Sequence, residues 1–376
     1  MVHSNESVPP QRLLGHARRI VVKIGSALLA EGGPRLTGVL AKQLAHLQGE
    51  GREIVVVSSG AIALGLRALG LTRRPHRLDR LQAAAAIGQP ELVLRWRRAL
   101  ARHKIAVAQV LITHSDVHDR ERFINIRHAM LDLLRHNVMP IVNENDSVAT
   151  EEIRVGDNDR LAGAVANLID ADLVVLLTTV QGLYDADPHN NRAAKRLSLV
   201  EDIKSVSQFA GGAGPSGLGT GGMRTKIEAA QAAAIRGIPL VIAHGRTAQV
   251  LLRIVKGDDI GTFFVPKKQT HGRRHWIGFA LNTKGTLIID QGAADAICLH
   301  GKSLLPSGLR AVQGVFSRGA MIEVVGPAGP VARGLAAYSD DEMRRLVGQS
   351  SRDIERILGY IYTAALIRRN DMLILF

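Results

Sequence analysis

Two lysines set among small residues are the first candidates for chemistry in this sequence of 376 residues. Lys23 lies in Val22-Lys23-Ile24-Gly25-Ser26, where an apolar run gives way to small residues that leave backbone N–H groups beside an ammonium. Lys226 closes the glycine-dense stretch Gly217-Leu218-Gly219-Thr220-Gly221-Gly222-Met223-Arg224-Thr225-Lys226. Glycines let a backbone approach an anion closely, and a lysine about one turn inside the following helix points its charge at the same place. Both arrangements suit phosphate. In Val57-Ser58-Ser59-Gly60-Ala61 two hydroxyls and a glycine open a helix, whose free N–H groups suit a carboxylate; plain N-capping by Ser59 explains the same residues. The densest polar segments are Asn143-Glu144-Asn145-Asp146 and Gly156-Asp157-Asn158-Asp159. Such Asn/Asp clusters form surface turns, and they also hold the acceptors that an amino acid's ammonium group needs.

Several other chemistries are excluded by context. Gly217 to Gly222 matches GxGxxG, but it follows a loop and no acidic residue lies near Ile242, so a dinucleotide site is not indicated. Gly301-Lys302-Ser303 lacks the earlier glycine of a P-loop, with Ala296 in its place. Cys298 is the single cysteine, expected as a buried thiol with no disulfide or metal role.

The elements that must carry these residues alternate. IVVKI (20–24), IVVV (54–57), IAVAQVLI (105–112), VMPIV (138–142), LVVLL (173–177) and IPLVIA (238–243) read as buried strands. Gly38 to Gln48, Leu78 to His103 and Glu121 to His136 carry apolar residues at three- and four-residue spacing and read as helices. This order predicts a three-layer α/β/α sandwich with a mostly parallel open sheet. Ligands of such sheets bind beyond the carboxyl ends of the strands, where Lys23 and Ser59 stand. Residues 265–275 read as a basic, aperiodic linker. Beyond it, short runs such as GTLIID, LRAVQGVF, GAMIEVV and GPVARGLAAY, separated by Gly and Pro, predict a small β-barrel-like module. The expected division is an N-terminal tail (1–18), a large domain (19–264), the linker, a second domain (276–362) and a C-terminal tail (363–376).

The formal charge of +14 raises nucleic-acid binding. Its densest contribution, a net +8 over residues 67–104, reads as a solvated basic helix surface that also attracts anionic metabolites. No signal-peptide core or long uncharged apolar run occurs, so the chain is expected in the cytoplasm, away from membranes.

Taken in order, VKIGSALL, VSSGAIALG, NENDSVAT with VGDNDRLA, LLTTVQGLYDADP and GLGTGGMRTK resemble the glutamate 5-kinase branch of the amino acid kinase family. SLLPSGLRAVQGVFSRGAMIEV resembles the PUA domain that bacterial members carry. The resemblance implies the amino acid kinase fold and transfer of the γ-phosphoryl group of ATP to the side-chain carboxylate of L-glutamate, the first step of proline biosynthesis. It implies that Lys23 and Lys226 contact the ATP phosphates and that Asp159, the catalytic aspartate, orients them. It assigns nucleotide binding to Thr178, Thr179, Thr220, Gly221, Gly222, Met223, Arg224 and Thr225 as well. Glutamate falls to Ser59, Asp146, Asp157 and Asn158, and no metal ligands are assigned. It further implies Mg2+, dimers or tetramers, feedback inhibition by proline and hand-off of the product to glutamyl phosphate reductase. Thr179 stands where the family often has Asp. Acetylglutamate or aspartate kinase activity and RNA binding through the PUA domain are the alternatives.

Overall fold

The computed structural model describes residues 10–71, 73–149, 157–186, 188, 191, 193–203, 205–206, 222–266 and 283–375. The chain divides into two compact units, residues 1–268 and 269–376.

The first unit opens with α1 (Pro10–His16), β1 (Arg19–Ile24), α2 (Ser26–Gly49), β2 (Glu53–Ser58), α3 (Ala61–Ala68) and α4 (Leu78–Ala101). It continues through β3 (Val107–Ile112), α5 (His114–His118), α6 (Arg120–Arg135), β4 (Met139–Glu144), α7 (Asp157–Ile169) and β5 (Leu173–Thr178). It closes with β6 (Leu199–Val200), α8 (Met223–Ile235), β7 (Leu240–His244), α9 (Val250–Lys256) and β8 (Gly261–Phe264). The eight strands form one sheet in the order β3-β4-β2-β1-β5-β7-β8-β6. All neighbours are parallel except β7 and β8, so six strands point their carboxyl ends to one edge. The expected mostly parallel sheet is thus present, with β8 and β6 reversed.

Both faces of this sheet are covered, which is why its strands read as unbroken apolar runs. Side chains alternate between faces with period two. Ile20, Val22, Ile24, Ile54, Val56 and Ile141 join a core with α2, α4 and α9. Val21, Val55, Val57, Val142, Val174 and Leu176 join a second core with α7 and α8. On α4 the buried stripe runs Leu81, Ala85, Gln89, Leu92, Trp96, Leu100, the spacing of one helix face with a single polar member. α2 starts earlier than its spacing suggests: a helical stretch before Gly33, where φ is 55°, continues across that break and Pro34 into the expected one. Two edges of the expected division shift. Leu14 and Ala17, within the expected N-terminal tail, are buried in the first core.

The second unit holds β9 (Gly285–Ile289), α10 (Gln291–Cys298), β10 (Leu309–Gly314), β11 (Met321–Gly326), β12 (Gly329–Leu335), α11 (Asp340–Arg345), α12 (Ile354–Leu358) and β13 (Met372–Ile374). Its sheet runs β10-β9-β11-β12-β13, with only the β9–β11 pair parallel. The expected C-terminal tail belongs to this unit: Leu366, Ile367 and Met372 are buried in its core and β13 pairs with β12. A three-residue strand is too short to leave a periodic signature. Cys298, expected buried, is half-buried against the same core. Among the described residues no helix is long and apolar enough to cross a membrane.

Candidate active site

The parity of β1 sends Lys23 to the side of Val21, the face that α7 and α8 cover. There Lys23 Nζ lies 2.5 Å from Oδ1 of Asp159, which the first turn of α7 supplies. Lys226, in the first turn of α8, places Nζ 3.0 Å from Asp159 Oδ2, and the Thr225 hydroxyl lies 2.8 Å from the same oxygen. Small residues allow the two helices to come this close. A Cβ on Gly163 of α7 would stand 3.2 Å from the carbonyl oxygen of Ala229 on α8, and Ala229 and Ala233 are fully buried.

All three charged groups are out of solvent: Lys23 is 6% exposed, Lys226 5% and Asp159 0%. Burial opposes ionisation of Asp159, but the two ammonium groups, joined by the Thr225 hydroxyl, outweigh it and hold the carboxyl at about 2. The charge of Lys23 is the largest single pull on this carboxyl, followed by the charge of Lys226 and then by the direct contacts of Lys23 and Thr225. Burial draws Lys226 below the ordinary lysine value, Asp159 opposes that shift and Lys23 reinforces it. Two cations on one carboxylate leave the trio with a net positive charge, and a buried charge is costly until a counter-charge completes it. The arrangement is built to receive an anion.

Beside the trio runs a row of amides. Asn158, next to Asp159 on α7, donates from Nδ2 to Ser59 Oγ at 2.7 Å and to Asn143 Oδ1 at 3.0 Å. Asn143 Nδ2 donates to Gln89 Oε1 at 2.7 Å. Asn143 projects from β4 on the parity of Ile141, toward α4, whereas Asn158 comes from the opposite face. The row therefore crosses the carboxyl edge of the sheet. At its rim the Trp96 indole donates to Ser58 Oγ at 2.9 Å, tying α4 to β2. Ser59 does not cap α3: the N-cap is Gly60, at φ 116°, with no side-chain cap. Its hydroxyl is spent on Asn158 instead.

The amino acid kinase family model matches residues 18–244, which hold the whole of this trio and all of the amide row. Lys226 itself lies within the matched span. The chain belongs to the amino acid kinase family. The PUA domain model matches residues 285–358. Among curated relatives, glutamate 5-kinase of Syntrophotalea carbinolica is 42% identical over 96% of this chain and 98% of its own. Glutamate 5-kinase of Stutzerimonas stutzeri is 46% identical over 95% and 98%. A crystal structure of UMP kinase from Bacillus anthracis is similar with a TM-score of 0.46 and 16% identity, covering 67% of this chain and 97% of that one.

For this family member the structure brings Lys23, Asp159, Lys226 and Thr225 together, and Ser59 with Asn158. Asp146 stands half-buried in the turn that follows β4. Thr178 ends β5 half-buried and Thr179 is exposed just beyond it; Gly25 at the end of β1 donates its N–H to the neighbouring Leu177 carbonyl. Gly222 is the N-cap of α8 and Met223 packs against the second core. Arg224 is exposed and paired with Glu228, which also holds Arg160. Thr220 and Gly221, and the side chain of Asp157, lie outside the described residues. Gln89 was not singled out in the sequence, and Asn143 only as part of the Asn143-Glu144-Asn145-Asp146 cluster. The signal for Gln89 was available, since it is the one polar residue on the apolar stripe of α4.

Proposed function

We propose that this chain is an ATP-dependent glutamate 5-kinase, which transfers the γ-phosphoryl group to the side-chain carboxylate of L-glutamate and yields L-glutamyl 5-phosphate and ADP. The observation that carries the reading is the buried Lys23–Asp159–Lys226 trio at the carboxyl edge of the sheet, next to the amide row on Asn158. A glutamate side chain has a pKa of about 4.3 and is ionised at neutral pH, so the attacking oxygen needs no general base. The barrier lies in bringing two anions together, which fixed cations and dipoles lower. In the proposed mechanism the carboxylate oxygen attacks the γ-phosphorus in line, while Lys23 and Lys226 flank the transferring group. Asp159 stays ionised and holds the two ammonium groups in place. Ser59, Asp146, Asp157 and Asn158 hold the amino acid, and Thr178, Thr179 and the segment from Thr220 to Lys226 hold the nucleotide.

Among the described residues no three acid, His or Cys groups stand together as a metal cage, and Asp159 is engaged on both oxygens. Mg2+ belongs to the reading as the counter-ion of ATP, because this ion prefers phosphate oxygens and water to an all-protein cage. Action in the cytoplasm, feedback inhibition by proline, assembly into dimers or tetramers and hand-off of the acyl phosphate to a reductase complete the proposal; their support is the resemblance to the glutamate 5-kinase branch. The test is ATP turnover with glutamate and hydroxylamine, which traps an acyl phosphate as its hydroxamate. Hydroxamate with glutamate, and none with aspartate or acetylglutamate, is expected. Turnover with either of those in place of glutamate rejects the assignment.

A further inference from the structure

The amide row ends in two groups that the trio does not use. Among the described residues no donor reaches Asn158 Oδ1 and no acceptor reaches Gln89 Nε2, although both atoms are buried and Gln89 is only 7% exposed. Both N–H groups of Asn158 are spent, on Ser59 and Asn143, so what it retains for a ligand is an oxygen. A buried oxygen of this kind is complementary to an ammonium group.

A row of amides has only two consistent polarities. In the observed one, Gln89 turns its oxygen to the Asn143 N–H, Asn143 turns its oxygen to the Asn158 N–H, and Asn158 keeps its oxygen free. Reversal of all three would leave Asn158 presenting N–H groups. Ser59 imposes no preference, because a hydroxyl donates or accepts. We infer that Gln89 is a positioning residue for recognition of the substrate's α-ammonium group: by accepting from Asn143 it permits the polarity in which Asn158 offers an oxygen. Without an acceptor at position 89, the Asn143 N–H would be buried with no partner. An orphaned N–H is less tolerable than an under-used carbonyl, so Asn143 reverses, takes the Asn158 oxygen for itself and leaves N–H groups facing the ammonium. α4 places Gln89 here by close packing, since its neighbour Gly88 lies against the backbone of Ala61 in α3.

This inference rests on glutamate being the substrate, and its test separates the two. Gln89→Met keeps the shape and removes the acceptor; Gln89→Glu keeps an acceptor. The KM for glutamate should rise about tenfold in Gln89→Met, the cost of one hydrogen bond to a charged group. The inhibition constant of glutarate, the same dicarboxylate without its amine, should stay within about twofold, because no ammonium is there to lose its partner. Gln89→Glu should keep the wild-type KM. Equal weakening of glutamate and glutarate would make Gln89 a packing residue only, and no change in either would remove it from recognition. Both results leave wild-type hydroxamate formation intact, whereas failure of the wild type in that assay overturns the substrate instead.

Discussion

Asp159 is a single carboxylate serving two ammonium groups, and its own ionisation records how strongly they act. Its folded pKa of about 2 lies below the ordinary 3.8, so the ionised form is favoured by folding. The stability this contributes is full above pH 4 and is lost as the pH falls from about 4 to about 2; it is on the order of 2 kcal/mol. Asp159→Asn leaves two buried ammonium groups uncompensated and should cost roughly 3–5 kcal/mol at neutral pH. Urea unfolding of both proteins from pH 6 down to pH 2 checks this. The gap between them should narrow below pH 4, and a gap independent of pH would show that the carboxylate's charge is not what the lysines require. Arg224, on α8 two residues before Lys226, is a contrast. Its exposed pair with Glu228 contributes little, because water screens it.

At the scale of elements, the site depends on helices that approach through glycine. A Cβ on Gly88 of α4 would lie 1.8 Å from the Ala61 carbonyl oxygen of α3, and one on Gly65 of α3 would lie 1.7 Å from that of Ala84. Gly38, inside α2, has open space at the same position. The same substitution should therefore act with opposite signs. Gly88→Ala should lower stability by about 1–3 kcal/mol through forced separation of the helices. Gly38→Ala should raise it by about 0.5–1 kcal/mol through the entropy of the unfolded chain. Thermal melts of the two variants decide the matter, and equal shifts would contradict the packing described. The strands and the long helices were legible because both faces of the sheet are buried and each strand end is marked by a change of residue type. Lys23 and Ser59 were legible where a buried strand gives way to small residues, and Asp159 through the Asn/Asp cluster that holds it, its role being implied only by the family resemblance. Gln89 was not singled out, and Asn143 only as part of its cluster, because their meaning lies in a pairing between α4 and β4 that no local pattern encodes. The N-capping alternative for Ser59 failed on similar grounds, since Gly60 takes the cap and frees the hydroxyl for a residue far along the chain.

At the scale of the whole chain, each unit has a core of its own: two faces of the eight-stranded sheet in the first, and the five-stranded sheet with Tyr338 and Leu346 in the second. The buried trio and the amide row draw every member from the first. A chain ended at Pro266 should fold cooperatively and form hydroxamate from glutamate, with circular dichroism and the trapping assay as readouts. Loss of the cooperative melt would show that the first unit is not self-sufficient. The basic excess is also a matter of the first unit: Arg73, Arg74, Arg77, Arg80, Arg97, Arg98, Arg102 and Lys104 are exposed on and around α4, while the apolar stripe of that helix is buried. It forms the solvated basic surface that its spacing suggested.

In the proposed mechanism Lys226 stabilises the transferring phosphoryl group and does not serve to bind the amino acid. Steady-state kinetics of Lys226→Ala, with glutamate and ATP each varied at saturation of the other, tests it most directly. The kcat should fall by at least about 10²-fold, the range for losing one fixed charge-stabilising group, with the KM for glutamate within about threefold. A raised KM for glutamate with kcat preserved would contradict it.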